Sequence, residues 1–325
     1  MEPDEIEEVS VEEIITELTE RAQPLLNSRL ARFSYLTYPQ LKLLERVWLQ
    51  IEPERRRQIV RRLVELAEDN LELSFDRVMK SLLKDPDAEV RSKAIEGLCE
   101  NEDVSLIPTF IRMLESDSSE QVQAAAALAL GRFALLAEYG ELKPVDAERV
   151  TQALLAATRN ITKPPEARRR ALEAVSALSL PEVKRAILEY YHSDNPLFKV
   201  SAVFAMGRNC HREWLPALLE EMTSEEPELR YEAAGAIGEV GEQEAVPRLI
   251  QLATDDPDMD VRLTAVQALG KVGGDNARKF LQKLLTSPNQ AVRQAAGEAL
   301  EELGVMENHL PFGVSREWLH PGEEN

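Results

Sequence analysis

Apolar and polar positions along this chain repeat one nine-residue phrase, plainest at Val261-Arg262-Leu263-Thr264-Ala265-Val266-Gln267-Ala268-Leu269, which Gly270 closes. Counted from Val261, offsets 0, +4, +7, +8 and +11 hold Val261, Ala265, Ala268, Leu269 and Val272. At 3.6 residues per turn these five share one helical face. The spacing predicts an amphipathic helix whose buried stripe mixes large with small side chains, the small ones at +4 and +7 letting a neighbouring helix approach. Further copies are anchored at Val90, Val122, Ala167, Phe198, Leu229 and Val292, giving successive intervals of 32, 45, 31, 31, 32 and 31 residues. A period in this range predicts stacked helix pairs, about seven between residues 85 and 304, in place of one closed core.

Each unit needs a second helix, and shorter apolar stretches such as Val246-Pro247-Arg248-Leu249-Ile250-Gln251-Leu252-Ala253 supply it. Pro108, Pro216 and Pro247 all lie 18 residues past their anchors, a phase that suits a first helical turn, where a missing N–H costs nothing. Asp85, Asp117 and Asp256 each precede the phrase's second residue by six positions. An aspartate there is expected to cap the coming helix or to meet the arginine of a neighbouring repeat. The 45-residue interval predicts a lengthened helix through Phe133, Leu136 and Tyr139, stopped at Gly140, with a new start at Pro144.

Upstream of the array the phrase fades. Residues 1–20 form an acidic segment in which Ser10-Val11-Glu12-Glu13 has the form of a capping box. Residues 21–84 predict helices through Leu26 to Phe33, from Tyr38, from Pro53 and after Asn70. They read as an N-terminal cap or as degenerate repeats, because a terminal repeat must turn one face to water. Residues 305–325 leave the pattern, and Pro311-Phe312-Gly313 with Trp318-Leu319 are expected to close the last repeat or, as a short linear motif, to dock elsewhere.

The Asp…Val-Arg…Ala…Ala-Leu-Gly pattern resembles HEAT repeats. The stretch from Gly238-Glu239-Val240-Gly241 to Pro247-Arg248-Leu249-Ile250 is similar to the HEAT-like variety named after phycobilisome lyases. The resemblance spans roughly residues 85–304 and implies an all-α fold, a right-handed α-solenoid of stacked helix pairs. It implies less about function, since such repeats encode stacking.

Composition agrees with helices: 44% hydrophobic residues, 5% aromatic, 14 glycines and 18 prolines in 325 residues. A net charge of −20 argues against a general nucleic-acid or anionic-membrane binder. Residues 1–20 carry nine Asp/Glu and no Lys/Arg, whereas residues 21–84 carry thirteen Lys/Arg against eight Asp/Glu. Cys99 and Cys210 form no motif, the start at Met1-Glu2-Pro3 is unlike a signal peptide, and no apolar run reaches the roughly 20 residues of a membrane span. A cytoplasmic protein is expected.

Candidate chemistry is sparse. Cys210-His211-Arg212-Glu213 gathers possible metal ligands in one turn but lacks a second cluster. Asp256, Asp258 and Asp260 imitate the start of a calcium loop, yet Val261 stands where that loop needs glycine. HEAT-like deoxyhypusine hydroxylases hold iron with His-Glu dipeptides, and this sequence has none. No metal, cofactor or catalytic residue is expected. An enzyme of the tetrapyrrole (phycobilin) lyase type is the alternative that the repeat variety implies.

Function is therefore sought at offsets pointing away from the packed stripe. These are polar in most copies, such as Ser92, Lys93, Glu96 and Glu100. Three adjacent repeats depart, with Val200, Tyr231 and Leu263 at +2 and Phe204 at +6, flanked by Arg208 and Lys271 at +10. An exposed apolar stripe of this kind predicts a groove for another protein or peptide, unless curvature buries it against the other helix layer. Arg55, Arg56, Arg57, Arg61 and Arg62 form a second candidate, a basic patch for an acidic partner or phosphate, or else a solvated face on which Arg61 pairs with Glu65. The expectation is a non-catalytic scaffold or adaptor.

Overall fold

A computed structural model describes residues 9–19 and 24–309, with side chains described through Gly304. Among the described residues there are helices, turns and no strand. The chain groups into two compact units that divide between Leu178 and Ser179.

The first unit contains α1 (Val11–Glu17), α2 (Asn27–Leu30), α3 (Tyr38–Trp48), α4 (Pro53–Asp69), α5 (Asp76–Leu82), α6 (Ala88–Glu96), α7 (Ile107–Ser116), α8 (Glu120–Glu138), α9 (Pro144–Arg159) and α10 (Pro165–Val175). The second contains α11 (Pro181–Tyr191), α12 (Pro196–Asn209), α13 (Leu215–Glu221), α14 (Pro227–Val240), α15 (Val246–Asp255), α16 (Met259–Val272), α17 (Asp275–Leu284) and α18 (Gln290–His309). Each unit is an α-solenoid of helix pairs. In the first, α4, α6, α8 and α10 pack in succession as one layer; in the second, α12, α14, α16 and α18 do the same. All of these but α4 carry the phrase, and the other helix of each pair packs beside them.

The periodic positions are where the spacing puts them. All seven anchors are buried, as are Ala265, Ala268, Leu269 and Val272. Pro108, Pro216 and Pro247 occupy the first turns of α7, α13 and α15, each after a short 3₁₀ turn. The lengthened pair is α8 and α9, separated at Gly140, whose φ of 73° lies in the left-handed region that favours glycine. Phe133 of α8 meets Phe110 of α7 at 6.5 Å between ring centroids, and both are fully buried. Burying side chains of this size stabilises the stack by roughly 1.5–3 kcal/mol each.

The glycine that closes the phrase has a specific opponent. A Cβ on Gly207, Gly238 or Gly270 would come within 2.6, 3.1 or 2.9 Å of the Cα of Ala236, Ala268 or Ala299. Each opponent is the +7 alanine of the next repeat. In the first unit Gly131 meets Ala174 in the same way, at 3.3 Å. Glycine on one helix and alanine on the next set how closely the layer stacks.

The turn aspartates do not cap the next helix. Asp87 and Asp258, two residues further on, accept the amides that open α6 and α16. The earlier aspartates instead receive the arginine of the preceding repeat. Arg91 reaches Asp117 at 2.6 Å and Arg230 reaches Asp256 at 2.7 Å. Arg91 and Arg230 also donate to carbonyls of their own turns, at Asp85 and Ser224. Each arginine thus ties one turn to the next. Where Gln123 replaces arginine, Lys163 fills the gap, its Nζ lying 2.7 Å from the Leu114 carbonyl and 3.2 Å from Gln123 Oε1.

Residues 21–84 extend this scheme. α4 packs on α6 as α6 packs on α8, and Arg56 lies 3.4 Å from Asp85, which also accepts the Trp48 indole N–H at 2.6 Å. α4 is a repeat helix that has kept its inter-repeat arginine while losing the apolar phrase. Ser10 forms the expected capping box with Glu13, and Thr37 forms a second with Gln40. The tail residues expected to close the last repeat, Pro311 to Leu319, lie outside the described residues.

Candidate interaction site

Of the apolar stripe on the second unit, Phe204 of α12 is 37% exposed and Tyr231 of α14 is 42% exposed. Leu263 of α16 is half-buried. Val200 does not belong with them. It is buried, and so are all of residues 200–203, so the whole circumference of that turn of α12 is covered. Both α11 and α14 pack on α12, and Tyr190 stacks on Phe198 with ring centroids 4.6 Å apart. Val200 is core, not surface.

Tyr231 and Leu263 share a concavity. Together with Pro227, Glu228, Asp258 and Asp260 they line a groove of about 560 Å³ between the first turns of α14 and α16. The lining carries three carboxylates and no Lys, Arg or His. Asp258 spends one oxygen on the amides of Asp260 and Val261. Glu228 and Asp260 are exposed, and among the described residues neither side chain has an ion-pair partner.

The cations expected beside the stripe differ from each other. Arg208 is exposed in the last turn of α12. Lys271 instead donates to Glu239 Oε1 at 2.6 Å, bracing α16 against α14, and that hydrogen bond holds its pKa above the usual lysine value. Lys271 therefore acts as a strut.

The arginines of α4 do not form a free anion site. Arg56 is buried against Asp85, and Arg55 Nε donates to the Leu18 carbonyl at 2.9 Å. Arg57 grips Asp87 at 2.7 Å, Arg61 pairs with Glu89, and Arg62 pairs with Glu65 at 2.7 Å. Arg61 thus meets Glu89 of α6 and not Glu65, which Arg62 takes. Asp87 is held below the usual carboxylate range by its hydrogen bond from Arg57. Arg56, Arg57 and Arg61 brace α4 to α6 and the turn before it, Arg55 holds the end of α1 and Arg62 pairs within α4, so a phosphate would have to displace these partners.

The remaining chemical candidates are also engaged. Cys210 ends α12 in the left-handed region at φ 54°, and burial pushes its thiol pKa up. Its neighbours Arg212 and Glu213 pair with Glu244 at 2.6 Å and Lys184 at 2.5 Å. No group of three or more His, Cys, Asp and Glu among the described residues is arranged to hold a metal. A part-buried polar cluster that no repeat offset marks joins α11, α12 and α13. There Glu221 accepts from the Tyr191 hydroxyl at 2.7 Å and pairs with Lys199 at 2.8 Å. Burial, then Glu221, pushes the Tyr191 pKa above its ordinary value. The exposed Leu128, at +6 of α8, also escaped the sequence reading, although the same offset had singled out Phe204.

A family model described as HEAT repeats matches residues 75–174, 185–270 and 215–301, about two-thirds of the sequence. The chain belongs to the HEAT-repeat family. No curated protein sequence matches it. Among solved structures, this HEAT chain is similar to the complex of CpcE and CpcF of phycocyanin lyase from Nostoc sp. PCC7120, with 17% identity and a TM-score of 0.50 over 87% of this chain and 97% of that one. Human deoxyhypusine hydroxylase in complex with glycerol matches at 18% identity and a TM-score of 0.32, over 91% and 96% of the two chains. A structure of Kap95p binding RanGDP matches at 14% identity and a TM-score of 0.47, over 90% of this chain and 45% of that one. At these identities the similarity concerns the HEAT fold. No described helix is long and apolar enough to cross a membrane.

Proposed function

We propose that this HEAT protein is a non-catalytic scaffold or adaptor that captures another protein on the second unit, along the repeat surface of α12, α14 and α16. The observation that carries this reading is the exposure of Phe204 and Tyr231 on neighbouring repeat helices whose other faces are closed by packing. Large aromatic side chains left in water beside a groove are the usual anchors of a protein interface. Solenoids present such anchors on a long surface to which each repeat adds a few contacts. A cytoplasmic setting fits the absence of a membrane-spanning helix among the described residues.

Affinity capture with the wild type beside a Phe204→Ala/Tyr231→Ala variant, read by mass spectrometry, tests the proposal. The variant is expected to keep the helical circular dichroism of the wild type and to lose its partner. Retention of every partner by a folded double variant would count against it. A purified chain that takes up a bilin would move the assignment to the tetrapyrrole-lyase alternative, for which no residue of the described chain speaks.

A further inference from the structure

The groove beside Tyr231 has a charge as well as a shape. Residues 212–260 hold 14 Asp/Glu against 3 Lys/Arg. Arg212, Arg230 and the nearby Lys184, Lys199 and Lys271 are consumed by Glu244, Asp256, Glu213, Glu221 and Glu239. Of the acids left without an ion-pair partner, Glu228, Asp258 and Asp260 line the groove. Glu225 and Glu226 are exposed immediately before α14. Two helix N-termini also point here, but each contributes only roughly +0.5 of a charge. Three carboxylates outweigh them, so the groove is negative. Its wall is the exposed Tyr231 ring with Leu263, a surface suited both to an apolar side chain and to a guanidinium laid over the ring.

We propose that the groove between α14 and α16 docks a basic extended segment of a partner protein, an Arg/Lys-bearing stretch with an apolar residue seated on Tyr231 and Leu263. This deepens the adaptor reading and rests on it. Charge complementarity selects the occupant: an acidic or phosphorylated segment would meet three like charges in the same groove, whereas a basic one meets opposite charges beside an aromatic ring. Exposed pairs of this kind give selectivity and a fast encounter, with the apolar contact slowing release.

A random-peptide display library panned against the full chain tests both parts. The expected enrichment is Lys/Arg flanking an apolar residue, with binding of the selected peptide weakening as salt rises. On a Glu228→Gln/Asp260→Asn variant that peptide should bind on the order of tenfold more weakly, and on Glu228→Lys/Asp260→Lys its binding should vanish. Both positions are exposed, and the neutral pair guards against misfolding of the charge-reversed one. Enrichment of neutral or acidic peptides, or a basic peptide indifferent to both variants, overturns the proposal. Neutral apolar peptides lost in Tyr231→Ala would leave the adaptor face standing without the basic partner. Selected peptides that bind Tyr231→Ala and Phe204→Ala as well as the wild type would remove both.

Discussion

Arg230 and Asp256 show at the residue scale why the array's polar turns are not merely solvated loops. Their side chains are 11% and 2% exposed, bidentate at 2.7 and 2.9 Å, and Asp256 also accepts the Asp258 amide. Burial alone would raise the Asp256 pKa, but the hydrogen bonds from Arg230 and from Asp258 outweigh it and bring the value below the usual carboxylate range. A carboxylate whose folded value is depressed stabilises the fold above its unfolded value and loses that contribution as pH falls through the folded one. Asp103, brought down to about 2 by Lys80 and the Ser105 amide, is more exposed and adds less. The urea midpoint should therefore fall as pH is lowered from about 5 to about 2. Arg230→Ala leaves Asp256 buried without its partner and should cost about 3 kcal/mol at neutral pH, while flattening the acid limb of the curve. Asp256→Asn should flatten it too. An unchanged acid limb in both variants would mean that this pair is not what titrates. The spacing places Asp256 in its turn but leaves open whether it caps or meets the arginine of a neighbouring repeat; two aspartates compete for the cap, and only the folded turn shows that Asp258 takes it.

At the scale of the helix, the sequence made the packed stripe legible and left the surface partly hidden. Anchors, small residues, first-turn prolines and the α8 extension follow from spacing, because one face of every repeat helix must be buried. Val200 could not be separated from Tyr231 in this way, since both sit at +2. What differs is the tilt and closeness of neighbouring helices, and Gly207 sets that closeness for α12, its Cβ position lying 2.6 Å from the Ala236 backbone. Glycine in a helix interior costs roughly 1 kcal/mol against alanine, so its use is explained only where space forbids the methyl group. Gly270→Ala drives a Cβ to 2.8 Å from the Ala299 carbonyl oxygen and should lose about 1–3 kcal/mol, because overpacking against backbone exceeds the propensity gained. Gly297→Ala on α18 meets nothing within 4 Å and should gain up to about 1 kcal/mol. Opposite signs for these two substitutions in chemical denaturation would establish Gly270 as a spacer; a gain at both would refute it.

For the whole molecule, stacking within each unit predicts that disturbance stays near its source. α16 packs on α14, α15, α17 and α18, and α14 in turn packs on α12. In a linear array stability is a sum of repeat terms and nearest-neighbour interfaces, and hydrogen-exchange protection varies along it. The family and the all-α stack were legible from the period. The division at Leu178–Ser179 was not, because the 31-residue interval from Ala167 to Phe198 runs across it without a break in the phrase. The charge of the groove was also hidden, since acids paired within turns and acids left over look alike until Arg230, Lys199 and Lys271 are assigned their partners. Gly270→Ala supplies a test of locality beyond its own stability. Exchange should accelerate most in α16 and α18, whose interface the substitution wedges apart, less in α14, and not in α4, α6 or α8 of the first unit. A uniform acceleration across all of these helices would show a single cooperative unfolding unit. A graded one would mean that the face carrying Tyr231 and Leu263 can loosen and re-form around a bound segment while the rest of the array stays folded.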